Sequence, residues 1–274
     1  MGWLTDPYQY EFMQRALVAA VLVGVLSPLA GTWVVLGRLS YLGDAMGHAS
    51  LAGVALAYLA GWSIVAGALG AGLAMALLMA VLARHPRLAG DAIIGIVEVT
   101  LFAAGLVVLS RADSVSVDLS HYLFGSITTV GDEDLRVDGA LAAAVIAGVA
   151  LLLQDLRATA FDPRQAALAG VRVGGLRLVQ LVALAAAVVV SLRSVGLLMS
   201  VAMLIVPAAA ARLWARTLVA MILVACAIGV VSAVAGLTLA YRLATPPGAT
   251  IALTAVGALA VSAALTMPVR AWVR

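Results

Sequence analysis

Apolar residues in this chain do not alternate, nor do they form one-sided stripes. They run in blocks apolar on every side of a helix. Nine such blocks occupy residues 14–36, 43–61, 63–83, 92–110, 136–154, 176–193, 196–214, 217–241 and 249–267. Crossing the hydrocarbon core of a bilayer takes ~20 residues of helix, so each block is sized for about one crossing. The blocks are separated by strong breakers: Gly37-Arg38, Gly61-Trp62, His85-Pro86-Arg87 and Thr245-Pro246-Pro247-Gly248. Pro28 and Pro207 fall inside blocks, where neighbouring helices re-satisfy the freed carbonyl, so they predict kinks and not ends. Stretches such as "AGALGAGLAMALLMA" and "AGVALAYLAG" are rich in small residues, which let helix backbones approach closely in lipid. The pattern predicts an all-α polytopic integral membrane bundle of eight to nine transmembrane helices, forming one domain over 1–274. No internal repeat of fixed period is visible.

Composition reinforces this reading. The chain is 65% hydrophobic and 11% charged, with a mean hydropathy of +1.15, against about half apolar and a quarter charged in soluble domains. The net charge of +3 does not signal a nucleic-acid partner. All 16 basic residues are arginines, scattered at the ends of apolar blocks and not clustered. Their asymmetry sets an orientation by the positive-inside rule. Arg38, Arg84, Arg87, Arg157, Arg164, Arg172, Arg177, Arg212, Arg216, Arg270 and Arg274 fall inside; Arg15, Arg111, Arg136, Arg193 and Arg242 fall outside. Nine crossings put the N-terminus outside, eight put it inside. The first block is too long for a cleavable signal and ends in a Gly-Arg turn. Cys226, alone of its kind, reads as a small interior residue.

Two loops are long. The outer one, 111–135, carries His121 and the acidic run Asp132-Glu133-Asp134, which reads as solvated, cation-attracting or partner-docking. The inner one, 155–177, contains a short helix with Asp162 as N-cap, Pro163 at the first helical position and Gly170 as its stop. Its Ala166, Ala167 and Ala169 present a smooth surface suited to a groove on another subunit.

The candidate chemistry lies in "GDAMGHAS", residues 43–50. Asp44 and His48 are four apart and share a helix face. Carboxylate with imidazole is borderline-hard ligation, suited to manganese, zinc or divalent iron and poor for copper(I). A second copy about a two-fold axis would bring two Asp and two His together. The plainer reading makes Asp44 a first-turn residue favoured by the helix dipole and His48 a satisfied interior histidine; ionisable residues inside membranes favour a site. Glu98 lies within the fourth block, either facing the path as a secondary path residue or neutral and hydrogen-bonded. His85 reads as a turn residue, and Arg193 as a side chain snorkelling to the interface.

The stretch "VVLGRLSYLGDAMGHASLAGVALAYLAG" resembles the membrane permease subunits of the zinc/manganese/iron-type ABC importers. It carries Arg38, Ser40, Gly43-Asp44-Ala45, His48-Ala49 and Gly53 in that family's order, with Gly47 where a serine often stands. "FDPRQAALAGV" resembles the family's coupling helix through Asp162, Ala166 and Gly170, and "SVGLLMSVAMLIVPAAAARL" its later signature helix through Val195-Gly196, Leu197-Leu198, Ala202 and Pro207. "YLFGSI" from Tyr122 is a weaker match. The resemblance implies an importer permease for a divalent transition metal. Asp44 and His48 would line the path as metal ligands, and Asp162, Ala166 and Gly170 would form the ATPase-coupling segment. It also implies a homodimer in the prokaryotic cell membrane, a cytoplasmic ATP-binding subunit and an extracytoplasmic metal-binding protein. The metal is then cargo, with no permanently bound cofactor. "GHASLAG" leans towards zinc.

No G-x-x-x-x-G-K-[ST] phosphate loop, H-E-x-x-H or G-x-S-x-G occurs. ATP hydrolysis is therefore expected on a separate subunit and no catalytic residue on this chain. The rival readings are a permease for a metal chelate (siderophore or corrinoid), an ion-coupled secondary carrier, and a membrane enzyme using Asp44 and His48 as acid and base.

Overall fold

Each apolar block folds into helix. The computed structural model describes residues 6–83, 85, 87–110 and 127–271. Outer-loop residues 111–126, with His121 and most of "YLFGSI", lie outside the described residues, as do Arg84 and Arg274. Ten α-helices occur among those described: α1 Glu11–Leu36, α2 Leu42–Ala60, α3 Ile64–Leu82, α4 Gly90–Leu109, α5 Asp132–Leu151, α6 Leu153–Phe161, α7 Pro163–Leu168, α8 Val173–Trp214, α9 Leu218–Leu243 and α10 Pro247–Ala271. Pro28 and Pro207 sit inside α1 and α8, which continue through them.

Six segments are long and apolar enough to cross a membrane alone: α1, α3, α4, Val173–Gly196 of α8, α9 and Pro247–Thr266 of α10. The pair α5 and α6, bent by 66°, counts as a seventh if it is one span. The expected eight or nine are not reached by this measure, for two reasons. The 19-residue α2 matches α3 in length, but Asp44 and His48 dilute its apolar character. The second half of α8, Met199–Trp214, is shorter than a full crossing.

The break in α8 is at Gly196, with φ 80° and ψ 174°, a backbone region essentially reserved for glycine. On either side of it the chain runs along α1. Ser191 Oγ and Ser27 Oγ are 2.7 Å apart, and Leu204 lies against Gly31. Two residues thirteen apart thus meet two that are four apart, so α8 folds back at its break. Irregular backbone at membrane depth is tolerated where protein buries it, and Ser191, Ser194, Val195 and Ser200 are all buried.

The centre of the bundle is α1, packed against α8 and α9, with α10 closing on α8 and α9. A second group, α2, α3 and α4, joins it through α8. Ion pairs mark one end of the bundle. Arg15 binds Asp132 through Nε at 2.9 Å and Nη2 at 3.1 Å, and Glu11 at 2.6 Å. Arg242 approaches Asp6 at 3.5 Å. At the other end Arg212 donates to the Val35 carbonyl at 3.0 Å. Arginines assigned to one side of the membrane therefore do meet acids at a common end of the bundle. Arg193 does not snorkel, however: it binds Asp138 at 2.9 Å and also Asp134. Nor is the acidic run merely solvated, since Asp132 and Asp134 hold Arg15 and Arg193.

The contact that positions the chemistry is between α2 and α4. A Cβ built on Gly105 would lie 2.8 Å from Ala52 Cα and 2.9 Å from Ala52 N, closer than van der Waals contact allows. Gly105→Val should therefore push α4 away from α2, with a cost in the ~1–3 kcal/mol range for overpacking. The expected readout is a lower thermal midpoint in detergent together with weakened metal binding; an unchanged midpoint would show that the helices are not in close contact here.

Candidate metal site

Asp44 occupies the first turn of α2 and His48 the second. That turn begins straight after the α1–α2 corner. There Arg38 itself takes the left-handed conformation at φ 57°, while Gly37 stays right-handed. Spacing of four places both side chains on one face, with His48 Nε2 3.8 Å from Asp44 Oδ1. Both are about one third exposed, so the face stays reachable. Ser50 donates to the Gly47 carbonyl at 2.6 Å, so the backbone around Gly47 is engaged although no serine stands there.

From α4, Glu98 reaches the same place. Ligand atoms of Asp44, His48 and Glu98 all lie within 4.8 Å of one another, a convergence of one imidazole and two carboxylates. Glu98 is 7% exposed and its Oε2 is buried without a hydrogen-bond partner. A buried carboxylate oxygen left unpaired costs on the order of 1–3 kcal/mol, a deficit that a cation between the three side chains would remove. Glu98 thus combines features of both readings: it faces Asp44 and His48, and it is hydrogen-bonded, to Tyr41. Tyr41, hydrogen-bonded to Glu98, has its phenol pKa raised by that bond first and by the charge of Glu98 second. Phe102, one turn beyond Glu98, meets His48 edge-on with ring centroids 5.6 Å apart. Tyr41 and Phe102 are supporting residues that the pattern of blocks does not single out, because each acts across a helix–helix contact.

The three donors are hard or borderline, suited to a divalent first-row metal and unsuited to copper(I). Three candidate donors converge within one copy of the chain, where spacing alone offered two. His85 is not among the groups brought together. Cys226 is half-buried, its Sγ 3.4 Å from the Val25 carbonyl oxygen, away from the cluster.

In the inner loop, helix α7 forms as its signals indicate. The Asp162 carboxylate accepts from Arg164 N at 2.8 Å and Gln165 N at 3.2 Å, and Gly170 takes φ 87°. Ala166 is buried at 3% exposed, turned into the protein and not outward. Ala167 and Ala169 do face outward, beside Phe161 and Leu168, which are 81% and 90% exposed.

The sequence model of the ABC 3 transport family matches residues 9–266. The manganese transport system membrane protein MntC of Listeria monocytogenes is 38% identical over 255 residues, covering 93% of this chain and 91% of that one. The chelated iron transport system membrane protein YfeD of Yersinia pestis is 35% identical over 240 residues, covering 88% and 80%. A solved structure of PsaBC from Streptococcus pneumoniae in complex with Fab superposes with a TM-score of 0.85 at 32% identity, covering 95% of this chain and 94% of that one.

Proposed function

The chain belongs to the ABC 3 transport family, and from that premise we propose that it carries a divalent transition metal, manganese first, through a path lined by Asp44, His48 and Glu98. As a multi-pass permease subunit in the cell membrane it is not itself an enzyme. The observation that carries the cargo reading is the buried, unpartnered Glu98 Oε2 beside Asp44 and His48. Two carboxylates against one imidazole make an oxygen-rich set, which suits manganese. Structural zinc sites draw mainly on cysteine and histidine, so this donor set favours manganese over the zinc towards which "GHASLAG" leans. The manganese and iron transport functions of the similar proteins point the same way.

The ion would be held between α2 and α4, with water or a second copy of the chain supplying the remaining positions, and released when the helices part. Because this chain has no phosphate loop, the driving force comes from a cytoplasmic ATP-binding subunit. An extracytoplasmic metal-binding protein would load the outer face, and two copies of the permease would flank the path. The coupling segment 155–177 would dock the ATPase through the outward face of α6 and α7, with Asp162 and Gly170 fixing the shape of α7.

Leu168→Asp therefore should sever co-purification with the ATPase and stop uptake, while metal binding to the permease stays at the wild-type level. Undiminished ATPase association in that variant would move the docking surface elsewhere. Ala166→Trp is expected to disturb local folding of the loop, because its methyl group has no room to grow. The cargo reading is tested by vesicles reconstituted with permease and ATPase. ATP-dependent accumulation of manganese supports it, and ATP hydrolysis without metal uptake would overturn it.

A further inference from the structure

A cavity of ~450 Å³ opens at the end of the bundle that carries α7, between the end of α1, the α1–α2 corner, α6–α7 and the first turns of α8. Its size lies within the usual range for small-molecule pockets. Most of its wall is aliphatic, including Val34, Leu176 and Leu184. Four polar side chains interrupt it: Trp33, Arg177, Gln180 and Thr159, whose hydroxyl is taken up by the Asp155 and Leu156 carbonyls. The indole Nε1 of Trp33 is buried with no hydrogen-bond partner. Arg177 makes no salt bridge among the described residues, and no acidic side chain lines the cavity.

We propose that this cavity is a binding site for an anionic phospholipid, one acyl chain lying against the aliphatic wall and the phosphate held by Arg177 and the Trp33 indole. Guanidinium and indole can only donate hydrogen bonds, so the polar part of the ligand must be rich in acceptors. With one arginine and no acid in the lining, a negative charge is favoured there over a metal cation. Free inorganic phosphate would leave the aliphatic wall wet, and a neutral hydrocarbon would leave both donors unpaired. An amphiphilic anion satisfies both halves, and the helix ends of a membrane bundle are where phospholipid presents that combination. Basic pockets between membrane helices on the cytoplasmic side are known to take anionic head groups. Thr159, Ala160 and Pro163 form part of the same wall, so the lipid would brace the segment proposed to meet the ATPase. The inference rests on membrane location and cavity chemistry and stands apart from the identity of the metal.

The test uses the detergent-solubilised permease, with phosphatidylglycerol and phosphatidylcholine as competing probes in native mass spectrometry. Wild type should retain phosphatidylglycerol preferentially, and Arg177→Gln should reduce that preference by about fivefold, the worth of one basic residue near a membrane surface. Phosphatidylglycerol with brominated acyl chains should quench part of the tryptophan fluorescence, and Trp33→Phe should remove that part. Equal retention of both lipids by wild type, or quenching unchanged in Trp33→Phe, would overturn the proposal. Displacement of the lipid by inorganic phosphate alone would also overturn it, because the site would then be a phosphate site. Metal binding at Asp44, His48 and Glu98 should be the same in both variants, which separates failure here from failure of the transport reading.

Discussion

Glu98→Gln is expected to abolish metal uptake while leaving the protein as stable as wild type, or more so. The two halves of that result have one cause. Without an ion, Glu98 is a buried carboxylate with an unpartnered oxygen, and it is costly to the fold for the same reason that it is useful to a cation. Removing the charge relieves the cost, as happens when a functional residue is traded for stability. Removing a ligand should cost metal affinity more than the ~10–100-fold seen on loss of an outer-shell partner. Asp44→Asn and His48→Ala should fall together with it in uptake and binding. Metal titrations and thermal unfolding in detergent check both halves. A Glu98→Gln protein that unfolds early and still transports would make Glu98 a structural residue.

The second large effect concerns Arg193. Its guanidinium ties the break of α8 to Asp138 of α5, whose side chain is only 2% exposed and also accepts from Ser194 Oγ at 3.3 Å. Arg193→Ala should destabilise the bundle by ~3–5 kcal/mol, because it strands a buried carboxylate without its partner. Replacing both members with apolar residues of similar size, Arg193→Met with Asp138→Leu, should recover much of that loss, since a buried pair often does little better than good apolar packing. Thermal midpoints of the single and double variants decide the matter. An Arg193→Ala midpoint equal to that of wild type would mean that the pair is solvent-screened.

How much of this was visible in the chain depends on the range of the interaction. Asp44 and His48 are legible because four residues of helix bring them together, and α7 is legible because Asp162, Pro163 and Gly170 mark its two ends within nine consecutive residues. Glu98 was visible as an ionisable residue in an apolar block, yet its meeting with His48, fifty positions earlier, depends on Gly105 letting α4 close on α2. The partnership of Arg193 with Asp138 was lost for the same reason. Each charge sits inside its own apolar block, and no periodicity relates the two blocks. The inward turn of Ala166 was likewise invisible, since the six residues of α7, PRQAAL, hold one large apolar side chain, Leu168, and it faces outward. The span count also depends on more than pattern, because α2 carries the site's charges and α8 folds back at Gly196.

Pulsed electron paramagnetic resonance of manganese bound to the purified permease tests the central claim most directly, since the ion reports its own ligands. Wild type is expected to bind manganese with clear nitrogen modulation from one imidazole. His48→Ala should lose that modulation, while Glu98→Gln should keep it on whatever ion still binds, at much reduced affinity. Nitrogen modulation that persists unchanged in His48→Ala, or manganese binding that is indifferent to all three substitutions, would place the metal elsewhere and contradict the account.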